Sequence, residues 1–140
     1  MGVLTGEGEH IVNEIIEKFD SRDFSDVAGI AYRDRSAASL TVVQTPARTP
    51  NHHLDLLPNP ARHLLPSLGD YDVAPHWANA GVFAPINTSR GCPYNCEFCS
   101  ITSYQGIKYR YRGADNVIAE LKELKQKYGV SVFSIRDGLR

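Results

Sequence analysis

Cys92, Cys96 and Cys99 are the only three cysteines in the chain, and they follow the spacing C-x3-C-x2-C. Thiolate is the protein ligand that iron–sulfur clusters use, and three thiolates can hold three corners of a cubane [4Fe–4S] cluster. With no fourth cysteine, one iron would be left open. Such an iron can bind a small molecule, whereas a cluster with four cysteine ligands mainly passes electrons. The flanking residues suit a tight wrap. Gly91 permits unusual backbone angles, Pro93 stiffens the turn, and backbone amides can donate to cluster sulfurs.

Other chemistries fit this spacing poorly. Bacterial ferredoxin runs read C-x2-C-x2-C-x3-C-P, and plant-type runs place C-x4-C-x2-C ahead of a distant fourth cysteine. An odd number of clustered cysteines does not make the disulfide framework of a small secreted domain. A small zinc-binding interaction module using the three cysteines stays open as the second reading. It needs a fourth nitrogen or sulfur ligand. The nearest histidine, His76, lies upstream across an expected strand, and none follows Cys99.

The chain around the loop is 140 residues long, 42% hydrophobic and 22% charged, with a formal net charge of −1. That length suits one ordinary domain. No single-sign field points to nucleic acid held by bulk charge. Apolar runs such as Val130 to Ile135 fall far short of the ~20 residues that cross a bilayer, so no membrane partner is expected. The opening Met1-Gly2-Val3-Leu4 lacks the basic start and long apolar stretch of a secretory leader, so a cytoplasmic location is expected.

The elements that must position the loop can be read from the hydrophobic pattern. Gly2 to Thr5 reads as the tail of a strand. The apolar stripe Ile11, Val12, Ile15, Ile16 and Phe19 reads as a helix after the acidic Gly6-Glu7-Gly8-Glu9 turn. That strand would lack a neighbour within the chain, so its partners are expected upstream. Val27 to Arg33 and Leu40 to Thr45 are expected to form a hairpin around Asp34-Arg35-Ser36. Pro46 to Pro66 is expected to be a broken linker, packed through Leu54, Leu56, Leu57, Leu64 and Leu65 with help from Tyr71 and Trp77. Gly81 to Ile86 reads as a third strand leading into the cysteine loop. A helix through Val117, Leu121, Leu124 and Tyr128 is expected to stop at Gly129, and Val130 to Ile135 reads as a buried parallel strand. Strand, loop, helix and strand make one βαβ unit. The loop then lies at the carboxyl end of its first strand, where α/β barrels place active sites. Glu7 and Glu9 read as first-turn acids, His52 and His53 as solvated, and Arg90, Arg110 and Arg112 as surface-paired or facing a carboxylate or phosphate.

On these residues the chain resembles the radical S-adenosylmethionine (radical SAM) enzymes, whose signature is C-x3-C-x-aromatic-C with Phe98 in the aromatic place. Pro85 to Tyr94, and Tyr109-Arg110-Tyr111-Arg112 followed by Val117, Glu120 and Leu121, are similar to the subgroup with an N-terminal cobalamin-binding domain. Gly6-Glu7-Gly8-Glu9, Val27 to Arg33 and Leu54 to Arg62 resemble the end of that domain and its linker. The resemblance implies an α/β fold. Residues 1–45 would be the C-terminal part of a Rossmann-like cobalamin-binding domain, and 46–80 a proline-rich linker. Residues 81–140 would begin a radical SAM (β/α) partial TIM barrel. It further implies that Cys92, Cys96 and Cys99 hold a [4Fe–4S] cluster whose open iron chelates S-adenosylmethionine, and that Phe98 lies near the adenine. One electron would cleave the sulfonium to start radical chemistry, such as methylation or cyclisation of an organic small molecule. The electron donor would be flavodoxin or ferredoxin, and cobalamin is a possible further cofactor of the whole enzyme. The chain would be a fragment across the domain junction, inactive by itself. Ile135-Arg136-Asp137-Gly138 stands where relatives usually carry paired acidic residues.

Overall fold

Ile11 and Ile15, four positions apart, lie on one face of a short helix, and Ile30 and Tyr32, two positions apart after Gly29, favour an extended strand. The computed structural model bears out both and describes residues 2–34, 41–71, 81–94 and 96–139. His76, Trp77, Leu40, and the turn residues Arg35 and Ser36 lie outside the described residues. The chain divides into two compact units: Met1–His52 with Cys92–Lys108, and His53–Gly91 with Tyr109–Arg140.

In the first unit, β1 (Gly2–Leu4), β2 (Ile30–Asp34) and β3 (Thr41–Gln44) form an antiparallel sheet in the order β1-β2-β3. The expected hairpin is present, with Tyr32 opposite Val43. The strand expected to lack a neighbour has one. Leu4 pairs with Ile30 and Gly2 with Tyr32, so β2 satisfies the backbone groups along one edge of β1. Val27 to Gly29 precede the sheet instead of joining it. Val27 is buried with Ile11 and Ile30 under Ile15, Phe24 and Tyr32. Helix α1 (Glu9–Glu17) uses only part of its expected stripe: Val12 and Ile16 are exposed, and Phe19 lies past its end, also exposed. Glu9 stands in the first turn as expected, whereas Glu7 precedes the helix and its carboxylate accepts the Asn51 amide at 2.9 Å.

In the second unit, β4 (Phe83–Ile86) and β7 (Val132–Ile135) pair in parallel, with Ala84 opposite Phe133, and α3 (Ala114–Tyr128) makes the crossover. This is the expected βαβ unit. Ala84, Ile86, Leu124 and Val130 form its core, joined by Val117, Leu121, Tyr128 and Phe133. Gly129 ends α3 at φ 68°, a left-handed angle that disfavours residues with a Cβ, and the Val130 amide returns to the Leu124 carbonyl at 3.2 Å. The crossover is longer than the hydrophobic pattern indicated. It also contains the two-residue strands β5 (Ser89–Arg90) and β6 (Arg110–Tyr111), paired antiparallel, and helix α2 (Ile101–Gln105), which belongs to the first unit. Elements this short carry no periodicity to read.

The described residues of the proline-rich linker, 46–71, form three single 3-10 turns, at Leu54–Leu56, Arg62–Leu64 and Leu68–Asp70. Leu54 is buried, but Leu56, Leu64 and Leu65, expected to pack, are exposed, as is Tyr71. A three-residue turn has too few positions to bury every leucine it carries. Besides buried Leu54, and Leu68 packed against the core, charge fastens the stretch. Arg62 donates to the Glu120 carboxylate at 2.8 Å, and Arg112 reaches its other oxygen at 2.5 Å. Glu120 is 2% exposed. Arg112 is therefore not a surface-paired arginine, and Arg110 is buried too. Arg112 also donates to the Asn87 carbonyl at 2.9 Å and to Asn116, while the Gly113 amide meets Asp55 at 2.9 Å.

Removing the carboxylate would leave two guanidiniums buried without a counter-charge, which costs about 3–5 kcal/mol. Glu120→Ala is expected to lower the unfolding free energy from urea titration by that amount and so to shift the midpoint down, and Glu120→Gln by less, because its amide oxygen still accepts. A Glu120→Ala protein with an unshifted midpoint would show that the clamp contributes nothing.

Candidate functional site

The lead-in to the cysteine loop is built at the carboxyl ends of β4 and β7. Hydrogen bonding between these strands continues past their last residues, with the Arg136 amide donating to the Ile86 carbonyl at 2.8 Å. The Asn87 side-chain amide donates to the Arg136 carbonyl at 2.5 Å. Asp137 then closes the end. Its carboxylate accepts the Thr88 amide at 2.8 Å, the Ser89 amide at 3.0 Å and the Thr88 hydroxyl. Ser89 is 1% exposed, and β5 pairs Arg90 with Arg110 immediately after it. The Arg112 amide donates to the Thr88 carbonyl at 2.8 Å, so this stretch is held from both sides.

Gly91 follows at φ 84°, the left-handed geometry expected of it, and the chain enters the loop. Cys92 is buried at 7% exposure, and its amide donates to the Gly106 carbonyl at 3.2 Å. Cys96 is exposed and Cys99 half-buried. The Cys99 amide donates to the Cys96 carbonyl at 3.0 Å, closing a turn through Glu97 and Phe98. Phe98 is 93% exposed. Ser100 leads into α2, and the Gly106 amide caps that helix on Thr102 at 3.1 Å.

All three thiols are free. Among the described residues, no group of three or more His, Cys, Asp or Glu side chains is gathered to hold a metal ion. The structure thus puts the three cysteines on one loop without assembling them into a ligand set. Their donor chemistry nevertheless fits an iron–sulfur cluster: three unpaired thiols, two of them accessible, on a loop whose entry is fixed by backbone hydrogen bonds. His76, the candidate fourth zinc ligand, is outside the described residues.

Two features of the site were missed from the residues alone, although each left a signal. Glu120 lies on the same face of α3 as Val117, Leu121 and Leu124, and a carboxylate in an apolar stripe announces a buried counter-charge. Asp137 at a strand end was legible only as a departure from a pattern.

Residues 86–138 match the radical SAM superfamily. The chain is 30% identical over 136 residues to an uncharacterized methyltransferase of Pyrococcus horikoshii, covering 96% of this chain and 28% of the relative. It is 31% identical over 144 residues to the anaerobic magnesium-protoporphyrin IX monomethyl ester cyclase of Rubrivivax gelatinosus, covering 96% of this chain and 23% of that enzyme. Its fold is similar to the radical SAM methyltransferase TsrM of Kitasatospora setae, solved with cobalamin and a [4Fe–4S] cluster. The TM-score is 0.63 at 19% identity, over 98% of this chain and 26% of TsrM. The chain thus spans about a quarter of the length of these relatives. The mixed α/β fold agrees with the α/β class that the resemblance implied. No helix among the described residues is long and apolar enough to cross a membrane.

The Asp137 carboxyl responds to two opposed influences. Partial burial pushes it up, but the Thr88 hydroxyl and the Thr88 and Ser89 amides together outweigh this and hold it below the ordinary 3.8. A carboxyl lowered by folding adds stability that is complete above the unfolded value and is lost as pH falls through the folded one. Unfolding midpoints measured from about pH 6 downward should therefore fall as the pH drops below about 4. Asp137→Asn should be less stable at pH 6 and show a flatter acid limb. An identical acid limb in both proteins would mean that other carboxyls set it.

Proposed function

We propose that this chain is part of a radical SAM enzyme in which Cys92, Cys96 and Cys99 ligate a [4Fe–4S] cluster. One observation carries the reading: three free thiols with no fourth cysteine occupy one loop within the segment that matches the superfamily. A cluster held this way supplies single electrons and one iron open to S-adenosylmethionine.

The chain's own residues have the remaining tasks. Buried Cys92, pinned through Gly106, would fix one corner of the cluster. The turn from Cys96 to Cys99 brings two further thiols to the accessible side of the loop. Phe98 between them exposes nearly its whole ring, a flat apolar face that an adenine can stack upon. Asp137, Asn87 and Arg112 hold the lead-in, so that ligation need not order it as well.

In the whole protein, residues 1–45 would end a cobalamin-binding-like domain, 46–80 would link it, and 81–140 would begin the radical SAM domain. The reaction would be methylation or cyclisation of a small organic molecule in the cytoplasm. An electron carrier such as flavodoxin or ferredoxin would supply the electrons, and cobalamin would join as a further cofactor. The methyltransferase and cyclase names among the relatives support that range without choosing within it.

Reconstitution of the chain with iron and sulfide under anaerobic conditions should give a brown protein with about four irons per chain. Changing any one of Cys92, Cys96 or Cys99 to Ala should remove most of that iron. A colourless protein that takes up a single zinc would replace this reading with the zinc module.

A further inference from the structure

The three thiols are not equivalent, and the difference is geometric. Cys96 and Cys99 are the first and last residues of a turn closed by the Cys99 amide on the Cys96 carbonyl at 3.0 Å. Such a turn holds its end Cα atoms within about 7 Å. Disulfides form when Cα atoms are about 4.4–6.8 Å apart. Both side chains reach solvent, one exposed and one half-buried. Cys92 differs on each count: it is buried, and its backbone is tied to Gly106 on the far side of α2.

We propose that Cys96 and Cys99 form a reversible disulfide when the loop carries no cluster, leaving Cys92 as a thiol. Pairing depends only on the turn. Its consequence for metal loading rests on the iron–sulfur reading above. Oxidised glutathione serves as the oxidant. The thiolate of one cysteine, the more exposed Cys96 for choice, attacks a glutathione sulfur, the glutathione S–S bond breaks, and one glutathione leaves as thiolate to take up a proton. The Cys99 thiolate then attacks the Cys96 sulfur of the mixed disulfide and expels the second glutathione. Two protein thiols are oxidised and one glutathione disulfide is reduced to two glutathiones.

Oxidation would remove two of the three proposed ligands together, without disturbing the buried one. A bond closing so short and accessible a turn is of the labile kind that thiols reopen. The loop would thereby be protected from irreversible oxidation of its exposed sulfurs and returned to a loadable state by reduction.

The whole chain, reduced and free of iron, is treated anaerobically with oxidised glutathione. Remaining thiols are alkylated, and the protein is digested with chymotrypsin and with Glu-C. Cleavage after Tyr94, Glu97 and Phe98 separates the three cysteines, so mass spectrometry identifies each linkage. The expected product joins Cys96 to Cys99, carries the alkyl group on Cys92, and forms unchanged in Cys92→Ala. Cys96→Ser should abolish it. A dominant link from Cys92 to either partner overturns the proposal, as does stable glutathionylation without any internal disulfide. The oxidised chain should then lose most of its iron uptake and regain it with dithiothreitol. If the disulfide forms but the reduced chain takes up no iron, the cluster assignment fails while the pairing stands.

Discussion

Glu120 must be neutralised where it lies, because a carboxylate almost wholly removed from water is tolerated only beside opposite charge. Both guanidiniums that neutralise it come from outside α3. Arg62 belongs to a single 3-10 turn in the proline-rich stretch, and Arg112 stands just ahead of the helix. Neither segment has enough apolar surface to fasten itself, so a directional bond substitutes for packing. Arg62 also reaches the Pro85 carbonyl in β4 at 3.4 Å, and Arg112 the Asn87 carbonyl just beyond it. The clamp thus joins turn, strand and helix in one polar network. Its position specifies the arrangement more than an apolar contact could, since guanidinium and carboxylate pair only in set orientations.

The lead-in to the cysteine loop depends on this arrangement. Thr88 and Ser89 lie between the Arg112 contacts on one side and Asp137 on the other, and most of their hydrogen-bonding groups are committed there. On the proposed reading, in which the loop's cysteines would close around a cluster, a lead-in already ordered lowers the entropy lost on ligation. The loop itself is less uniform. One cysteine is buried with its amide bonded to Gly106, and two sit on an accessible turn.

Much of the second unit was legible in the pattern of residues. The spacing of Val117, Leu121, Leu124 and Tyr128, the stop at Gly129 and the continuous apolar run after it indicated a helix followed by a buried parallel strand, and both are present. These signals are local. The first unit was read less well. The apolar run at Gly2 to Leu4 predicts the strand but not its antiparallel partner, because strand pairing is a long-range choice that leaves no mark on local periodicity. The leucines of the linker misled for a related reason. Apolar type predicts burial only on average, and Leu56, Leu64 and Leu65 lie on turns too short to cover them.

By itself the sequence determined the chemical inventory. Three thiols at C-x3-C-x2-C, an aromatic residue between the last two, and a βαβ frame around them follow from residue identity and spacing. Only the tertiary structure decided what each group contacts. It made Arg112 a buried partner of Glu120, turned Asp137 from an odd residue into the tie across two strand ends, and separated Cys92 from the turn of Cys96 and Cys99. Ligand type is a property of a side chain and is visible in one dimension. Burial and hydrogen-bond partnership are set by residues far apart in the sequence, such as Arg62 and Glu120, and exist only once the chain has folded.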